Sequence, residues 1–306
     1  MDVVSYLLGK NQGSPAPTGT LSIVSNGTYD VSNYASANVN VAGIQEITDS
    51  SALFYKGARL TELTNFLAIV KHPTNCAYMF QDCENFEGTI NISNIDFSNC
   101  TDMRYMFTNC PKVTSVTGLE SINTSHVKYM DHLFDTFKFS SAIDSIDLHN
   151  WDVSNVEVMS YMFKSCGIRN YNLSNWDTSK VTTIAYLFMQ NSTALSINFT
   201  GWDTSSVTTM AYAFSNMTKI ETLDLSSFTG EALTNTSNMF LNSTKLTTID
   251  MRSLEFTNVT NSNNMFGTSS TGPKNDCLII VKDATQKTWI TSKFGRLTNV
   301  KTVAEL

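Results

Sequence analysis

One phrase recurs along this chain at an interval of about 26 residues, and a repeat of that length leaves few ways to fold. Residues 175–188 read NWDTSKVTTIAYLF, and 26 residues later the chain reads GWDTSSVTTMAYAF. Aligning on the closing phenylalanine finds Phe80, Phe107, Phe134, Phe163, Phe188, Phe214, Phe240 and Phe266, spaced 27, 27, 29, 25, 26, 26 and 26. Twelve residues before each of the last seven stands an apolar anchor: Ile95, Ile122, Trp151, Trp176, Trp202, Phe228 or Leu254. That distance never varies, so length changes are confined to one connecting loop. A unit this short cannot bury its own apolar face, whereas units stacked at about 4.8 Å per strand cover one another.

Within each unit, apolar residues three and five positions before the anchor alternate with polar ones, as in Ile90 and Ile92, Ile146 and Leu148, or Leu223 and Leu225. Alternation with period two is a strand with one face on a core. After the anchor, DTS or a relative supplies side chains that bond back to the backbone. Apolar residues then recur at helical offsets, as in Val207, Met210, Ala213 and Phe214, which predicts a short helix. The expected unit is strand, turn, short helix, loop. Trp151, Trp176 and Trp202 then form a buried aromatic file, each ring contributing about 2 to 3 kcal/mol by leaving water. The phenylalanines fill the same interior.

Charged residues make up 15% of the 306, with a formal net charge of −7, which argues against a nucleic-acid partner needing clustered Lys and Arg. No run of eighteen apolar residues predicts a membrane span. The opening MDVVSYLLGK makes a poor secretory signal, and the mature protein is expected to start at Met1. No GxSxG elbow, P-loop, GxGxxG or HExxH occurs, and the four histidines have no metal-ligand context. The expectation is a non-enzyme with no cofactor and no metal. Cys83, Cys110 and Cys166 each follow their phenylalanine by three, where other units carry Phe137 or Met217. That column reads as a packing slot holding free thiols, with a stacked Cys83–Cys110 disulfide as the alternative.

The cassettes Trp151–Phe163, Trp176–Phe188 and Trp202–Phe214 resemble the WDTSxVTxMxxMF repeats of the BspA-like leucine-rich-repeat surface proteins. The resemblance runs from about residue 76 to 272. It implies a leucine-rich-repeat solenoid, an α/β repeat with a strand and a short helix per unit. It also implies binding in place of catalysis. CLIIVKDATQKTWITSKFGRLTNVKTV looks like the strand–helix–strand cap of such arrays, shielding the last open edge.

The front of the chain is different material. Its phrases MDVVSYLLGK and GTYDVSNYA resemble the N-termini of structural proteins from phages of Gram-positive bacteria. The expected organisation is a docking segment over 1–12, a linker over 13–20 and a small β segment over 21–43 with strands paired around Asn26-Gly27. An N-terminal cap with a helix follows over 44–75, then the solenoid over 76–274 and a C-terminal cap over 275–306.

On the predicted strands, the residues between core positions face outward. They give the candidate partner-binding file Asn91, Asp147, Asn172, Asn198, Asp224 and Asp250, with His149 and Arg252 in the neighbouring column. Aligned amides and carboxylates suit carbohydrate hydroxyls or a polar protein surface, and the bland reading of each is a solvated strand face. The expected protein is a phage virion component docked through its N-terminus to other virion proteins. Its solenoid would bind a bacterial cell-surface glycan or protein, and a homotrimer is open as an assembly. The alternatives are an exported bacterial surface adhesin, or a capsid or tail decoration protein with no receptor role.

Overall fold

The computed structural model describes residues 20–23, 36–39, 48–56, 62–64, 70–137 and 144–306. The docking segment 1–12, the linker apart from Thr20, and the Asn26-Gly27 turn lie outside the described residues. Every ladder in the structure is parallel. β1 (Thr20–Ile23), β2 (Ser36–Val39) and β3 (Glu62–Thr64) form one sheet, with Thr20 opposite Ser36 and Ser36 opposite Glu62. A tight hairpin would have made β1 and β2 antiparallel, whereas the two strands pair in parallel. Down the chain follow β4 (Gly88–Asn91), β5 (Val113–Thr117), β6 (Ser145–Asp147), β7 (Asn170–Asn172), β8 (Ser196–Asn198), β9 (Thr222–Asp224), β10 (Thr248–Met251), β11 (Leu278–Val281) and β12 (Val300–Thr302). β4 pairs β5, β6 to β8 pair in order, and so do β9 to β12. The period-two alternation sets the register: Ile146, Tyr171 and Ile197 lie opposite one another and are buried. The β4–β5 register slips at Gly88/Thr89, and Val116, not Thr117, enters the core.

Among the described residues of the rungs, the short helix expected in each unit is absent. In its place a second parallel ladder of single bridges runs Asp49, Asn75, Asp102, Tyr129, Val158, Thr183, Thr209, Asn235, Asn261. A tight turn follows each bridge, with left-handed residues four apart, such as Tyr186 (φ 62°) and Gln190 (φ 61°). Alternate amides leave the rung: Tyr186, Phe188 and Gln190 N–H donate to Ala211, Ala213 and Ser215 C=O at 2.8, 2.8 and 2.9 Å. The amides between them close four-residue turns, as Leu187 N–H does to Ile184 C=O at 3.2 Å. In a stack the next rung offers a carbonyl to each outgoing amide, so backbone pairing is met without i→i−4 bonds. The 3.6-residue spacing of apolar side chains therefore marks the inner face of a turn ladder.

The interior is two files of rings. Phe54, Phe80, Phe107, Phe134, Phe163, Phe188, Phe214, Phe240 and Phe266 stack in sequence with centroids 5.3 to 6.2 Å apart. Trp151, Trp176, Trp202 and Phe228 stack at 6.2, 5.7 and 5.7 Å. Each indole N–H donates to a leucine carbonyl of the rung before it: Trp151 to Leu119, Trp176 to Leu148 and Trp202 to Leu173, at 2.7, 2.7 and 2.8 Å. The DTS threonines add a further bond, Thr178 Oγ1 donating to Asp203 C=O at 2.7 Å and Thr204 Oγ1 to Thr229 C=O at 2.8 Å.

Residues 48–56, expected within a helical cap, continue the stack: Asp49 bridges Asn75, and Phe54 N–H donates to Met79 C=O at 2.8 Å. At the other end, β11, helix α1 (Ala284–Lys293) and β12 make the expected cap. Asp283 caps α1 by accepting from the Thr285 and Gln286 amides. The Arg296 guanidinium donates to the carbonyls of Phe266 and Pro273 at 2.5 and 2.7 Å, satisfying oxygens that a further rung would have bonded.

All six cysteines are buried free thiols. The column that holds Cys83 and Cys110 is more than a packing slot. Cys83 and Cys110 Sγ donate to the Phe54 and Phe80 carbonyls, as Asn191 Nδ2 and Ser243 Oγ donate to those of Phe163 and Phe214. Burial also pushes the Cys110 thiol well above its ordinary range. Unfolded without reductant, the chain is expected to titrate with a thiol reagent as all six cysteines. Two fewer would establish a disulfide.

Candidate functional site

The outward strand file is present but largely self-bonded. Oδ1 of Asn91, Asp147, Asn172, Asn198, Asp224 and Asp250 accepts the amide of the residue two positions on, at 2.9 to 3.3 Å. These are Asx turns that end each strand. Between rungs, Asn172 Nδ2 donates to Asp147 at 2.9 Å and Asn198 Nδ2 to Asn172 at 3.3 Å. His149 Nδ1 sits 2.6 Å from Asp147 Oδ1, and Arg252 forks onto Asp250, whose side chain it covers. The structure thus puts Asp147, Asn172 and Asn198 in one register and Asp224 opposite Asp250, while Asn91 lies opposite Thr117; Asp250 is buried and Asp147, Asn198 and Asp224 are exposed. Their hydrogen-bonding capacity goes mainly to turns and neighbouring rungs.

A second file was missed from sequence. Tyr78, Tyr105, His132, Tyr161, Tyr186 and Tyr212 occupy the first left-handed position of six consecutive rungs, φ 56° to 63°. Their rings stack nearly parallel with centroids 5.0, 4.3, 4.3, 4.3 and 4.9 Å apart. All six are half-buried. The signal was in the sequence, a tyrosine two residues before five of the phenylalanines, in RYMF, SYMF, AYLF and their kin. Burial in the file, then the adjoining Tyr186 hydroxyl, pushes Tyr161 up to about 12, so the phenol stays neutral at ordinary pH.

Beside His132 lies a small charged cluster. Asp135 is buried and accepts from His132 Nδ1 and Thr136 Oγ1, both at 2.8 Å, with Lys164 Nζ at 3.4 Å. Burial opposes ionisation of Asp135, but the His132 and Thr136 hydrogen bonds and the Lys164 charge outweigh it and hold the carboxyl below its ordinary value. A depressed carboxyl contributes stability above its unfolded pKa, and loses it as pH falls through the folded value. The wild type is therefore expected to lose more stability between neutral pH and pH 3 than Asp135→Asn, compared by urea midpoints. An equal loss in both would contradict this pairing. Among the described residues, no group of three or more His, Cys, Asp or Glu could hold a metal ion, and no helix is long and apolar enough to cross a membrane.

One parallel strand per rung, a constant cassette and a closing cap define a leucine-rich-repeat solenoid. The chain belongs to the family described as "Mycoplasma protein of unknown function, DUF285", whose family model matches residues 26–145, 74–195 and 167–276. Among solved structures it is similar to a leucine rich cell surface protein from Faecalibacterium prausnitzii, at 14% identity and a TM-score of 0.35, over 80% of this chain and 78% of that one. No curated protein matches the sequence.

Proposed function

We propose that the protein is a non-enzymatic recognition scaffold displayed on a surface. The observation that supports this reading is the division of labour within a rung. Aromatic and aliphatic groups fill the interior, while the outward positions of successive rungs carry mostly short polar side chains along the stack. Files of similar polar groups suit many weak contacts made at once, where affinity accumulates through effective concentration.

The finer reading is a phage virion protein, docked through residues 1–12 and turning its solenoid towards a bacterial host. Its motive is the likeness of MDVVSYLLGK and GTYDVSNYA to N-termini of phage structural proteins. An antibody to the rungs, used for negative-stain imaging, tests it. Labelled particles support the virion reading. Labelled cell walls with bare particles overturn it in favour of an exported adhesin. Deleting residues 76–306 separates recognition from decoration: adsorption should fail while particles stay intact, whereas fragile particles would identify a decoration protein.

A further inference from the structure

We propose that stacked tyrosines of neighbouring rungs, Tyr161 with Tyr186 first among them, form an oxidative cross-linking site at which a peroxide-driven one-electron oxidant joins two rings as dityrosine. The inference stands apart from the recognition reading. The first observation is ring geometry. Tyr161 and Tyr186 face each other with centroids 4.3 Å apart and planes 5° from parallel. Both residues are left-handed at φ 62°, and their amides donate in turn to Ala185 and Ala211 C=O at 3.1 and 2.8 Å, so the two side chains leave successive rungs in one direction. Phenol therefore lies over phenol, which the adjoining hydroxyls bear out. An oxidised phenol carries its unpaired spin on the oxygen and on the ring carbons beside the C–O bond, and dityrosine forms when two such carbons bond. The stack holds those carbons face to face, which makes the coupling a step within one chain.

The second observation is access. The tyrosine file is half-buried at the surface, while Trp176, Trp202 and Phe188 are closed to solvent, so an oxidant in solution reaches the phenols before the interior rings. His132 divides the file, lying 4.3 Å from both Tyr105 and Tyr161. Stacked phenols thus remain as Tyr78 with Tyr105 at 5.0 Å on one side, and Tyr161, Tyr186 and Tyr212 on the other. The other described tyrosines are placed differently. Tyr55 meets Tyr78 edge-on at 6.5 Å and 75°, Tyr129 lies under the Arg104 guanidinium, and Tyr171 is fully buried.

Each cross-link takes two one-electron oxidations. Each phenol gives up an electron and its O–H proton, the rings bond carbon to carbon, and the ring hydrogens at the new bond move to the oxygens, restoring both phenols. The two electrons pass through the oxidant to the peroxide, whose O–O bond breaks, and the two released protons go to water. The product ties one rung to the next. Like a disulfide it restricts the unfolded chain, but no thiol reduces it.

Oxidation of the dilute, folded full chain by photoexcited ruthenium tris-bipyridyl with persulfate, a peroxide, tests this. The chain should stay monomeric on a denaturing gel and gain dityrosine fluorescence, and a tryptic map should show Tyr161 joined to Tyr186 as the most abundant pair. That map tests the site without any variant. Tyr78→Phe/Tyr186→Phe keeps every ring in the file but leaves no two phenols stacked, and should lose about tenfold of the dityrosine formed within the chain. Tyr55→Phe/Tyr129→Phe removes as many phenols outside the stacked pairs and should match wild type. Wild type unfolded in urea, where nothing holds the rings together, should lose about fivefold. The proposal is overturned by absence of dityrosine within the folded chain, by an equal yield from Tyr78→Phe/Tyr186→Phe or from the unfolded chain, or by a map in which Tyr55 or Tyr129 is joined ahead of Tyr161.

Discussion

Trp176→Ala is expected to destabilise the protein by about 4 kcal/mol, the largest loss from any single truncation in the aromatic files. The side chain is fully buried between Trp151 and Trp202, with centroids 6.2 and 5.7 Å away. Truncating a buried Trp costs about 3 to 5 kcal/mol through lost transfer free energy and the cavity left behind. Here it also removes the N–H that Leu148 C=O accepts at 2.7 Å, leaving a buried carbonyl without its partner. Trp176→Phe keeps a ring in the stack and loses the bond, so it should cost about 1 to 2 kcal/mol. Urea unfolding of the three proteins, followed by far-UV circular dichroism, measures both steps. Equal stabilities for wild type and Trp176→Ala would mean that the indole is not in the stack.

Gly272→Ala is expected to cost about 3 kcal/mol, although it exchanges one small residue for another on the approach to the C-terminal cap. A Cβ there would sit 1.6 Å from Phe266 C=O and 2.9 Å from the Arg296 guanidinium that caps it. Restricting the unfolded chain by Gly→Ala returns only about 0.4 to 1 kcal/mol. Overpacking against backbone costs about 1 to 3 kcal/mol or more, and the lost Arg296 contacts add to it, so the clash wins. The damage should concentrate in the cap. Hydrogen exchange is expected to quicken in α1 and β12 before it does in β7 and β8. Uniform exchange together with unchanged stability would contradict the packing described.

How much of this could be read from sequence depended on what carried the signal. Trp151, Trp176 and Trp202 were legible as a buried file because a constant twelve-residue spacing to phenylalanine requires each rung to place them alike. The cap was legible because CLIIV and KTWITSKF switch period within a few residues. The helix per rung was not, since a turn ladder and a helix can bury the same offsets. What separates them is the left-handed backbone at Tyr212 and Asn216, which side-chain hydrophobicity does not report. Phe54 stands 26 residues before Phe80 but lacks a recognisable anchor, so the stack's extension to residues 48–56 read as a cap. Asp147, Asn172 and Asn198 were correctly gathered into one register. Their local bonding was hidden because Asn and Asp serve a ligand and an Asx turn with the same oxygen.

The central claim is that successive cassettes are adjacent coils of one stack, and paired cysteines on an exposed column test it most directly. Thr208 N–H donates to Thr182 C=O and Thr234 N–H to Thr208 C=O, both at 2.9 Å, so these threonines mark three consecutive rungs. Neighbouring strands lie about 4.8 Å apart, within the range of about 4.4 to 6.8 Å that a disulfide spans, and alternate rungs lie about twice as far. Mild oxidation should therefore cross-link Thr182→Cys/Thr208→Cys and Thr208→Cys/Thr234→Cys within one chain, and leave Thr182→Cys/Thr234→Cys reduced. Efficient cross-linking of the 182/234 pair, or none in the two adjacent pairs, would contradict the stack.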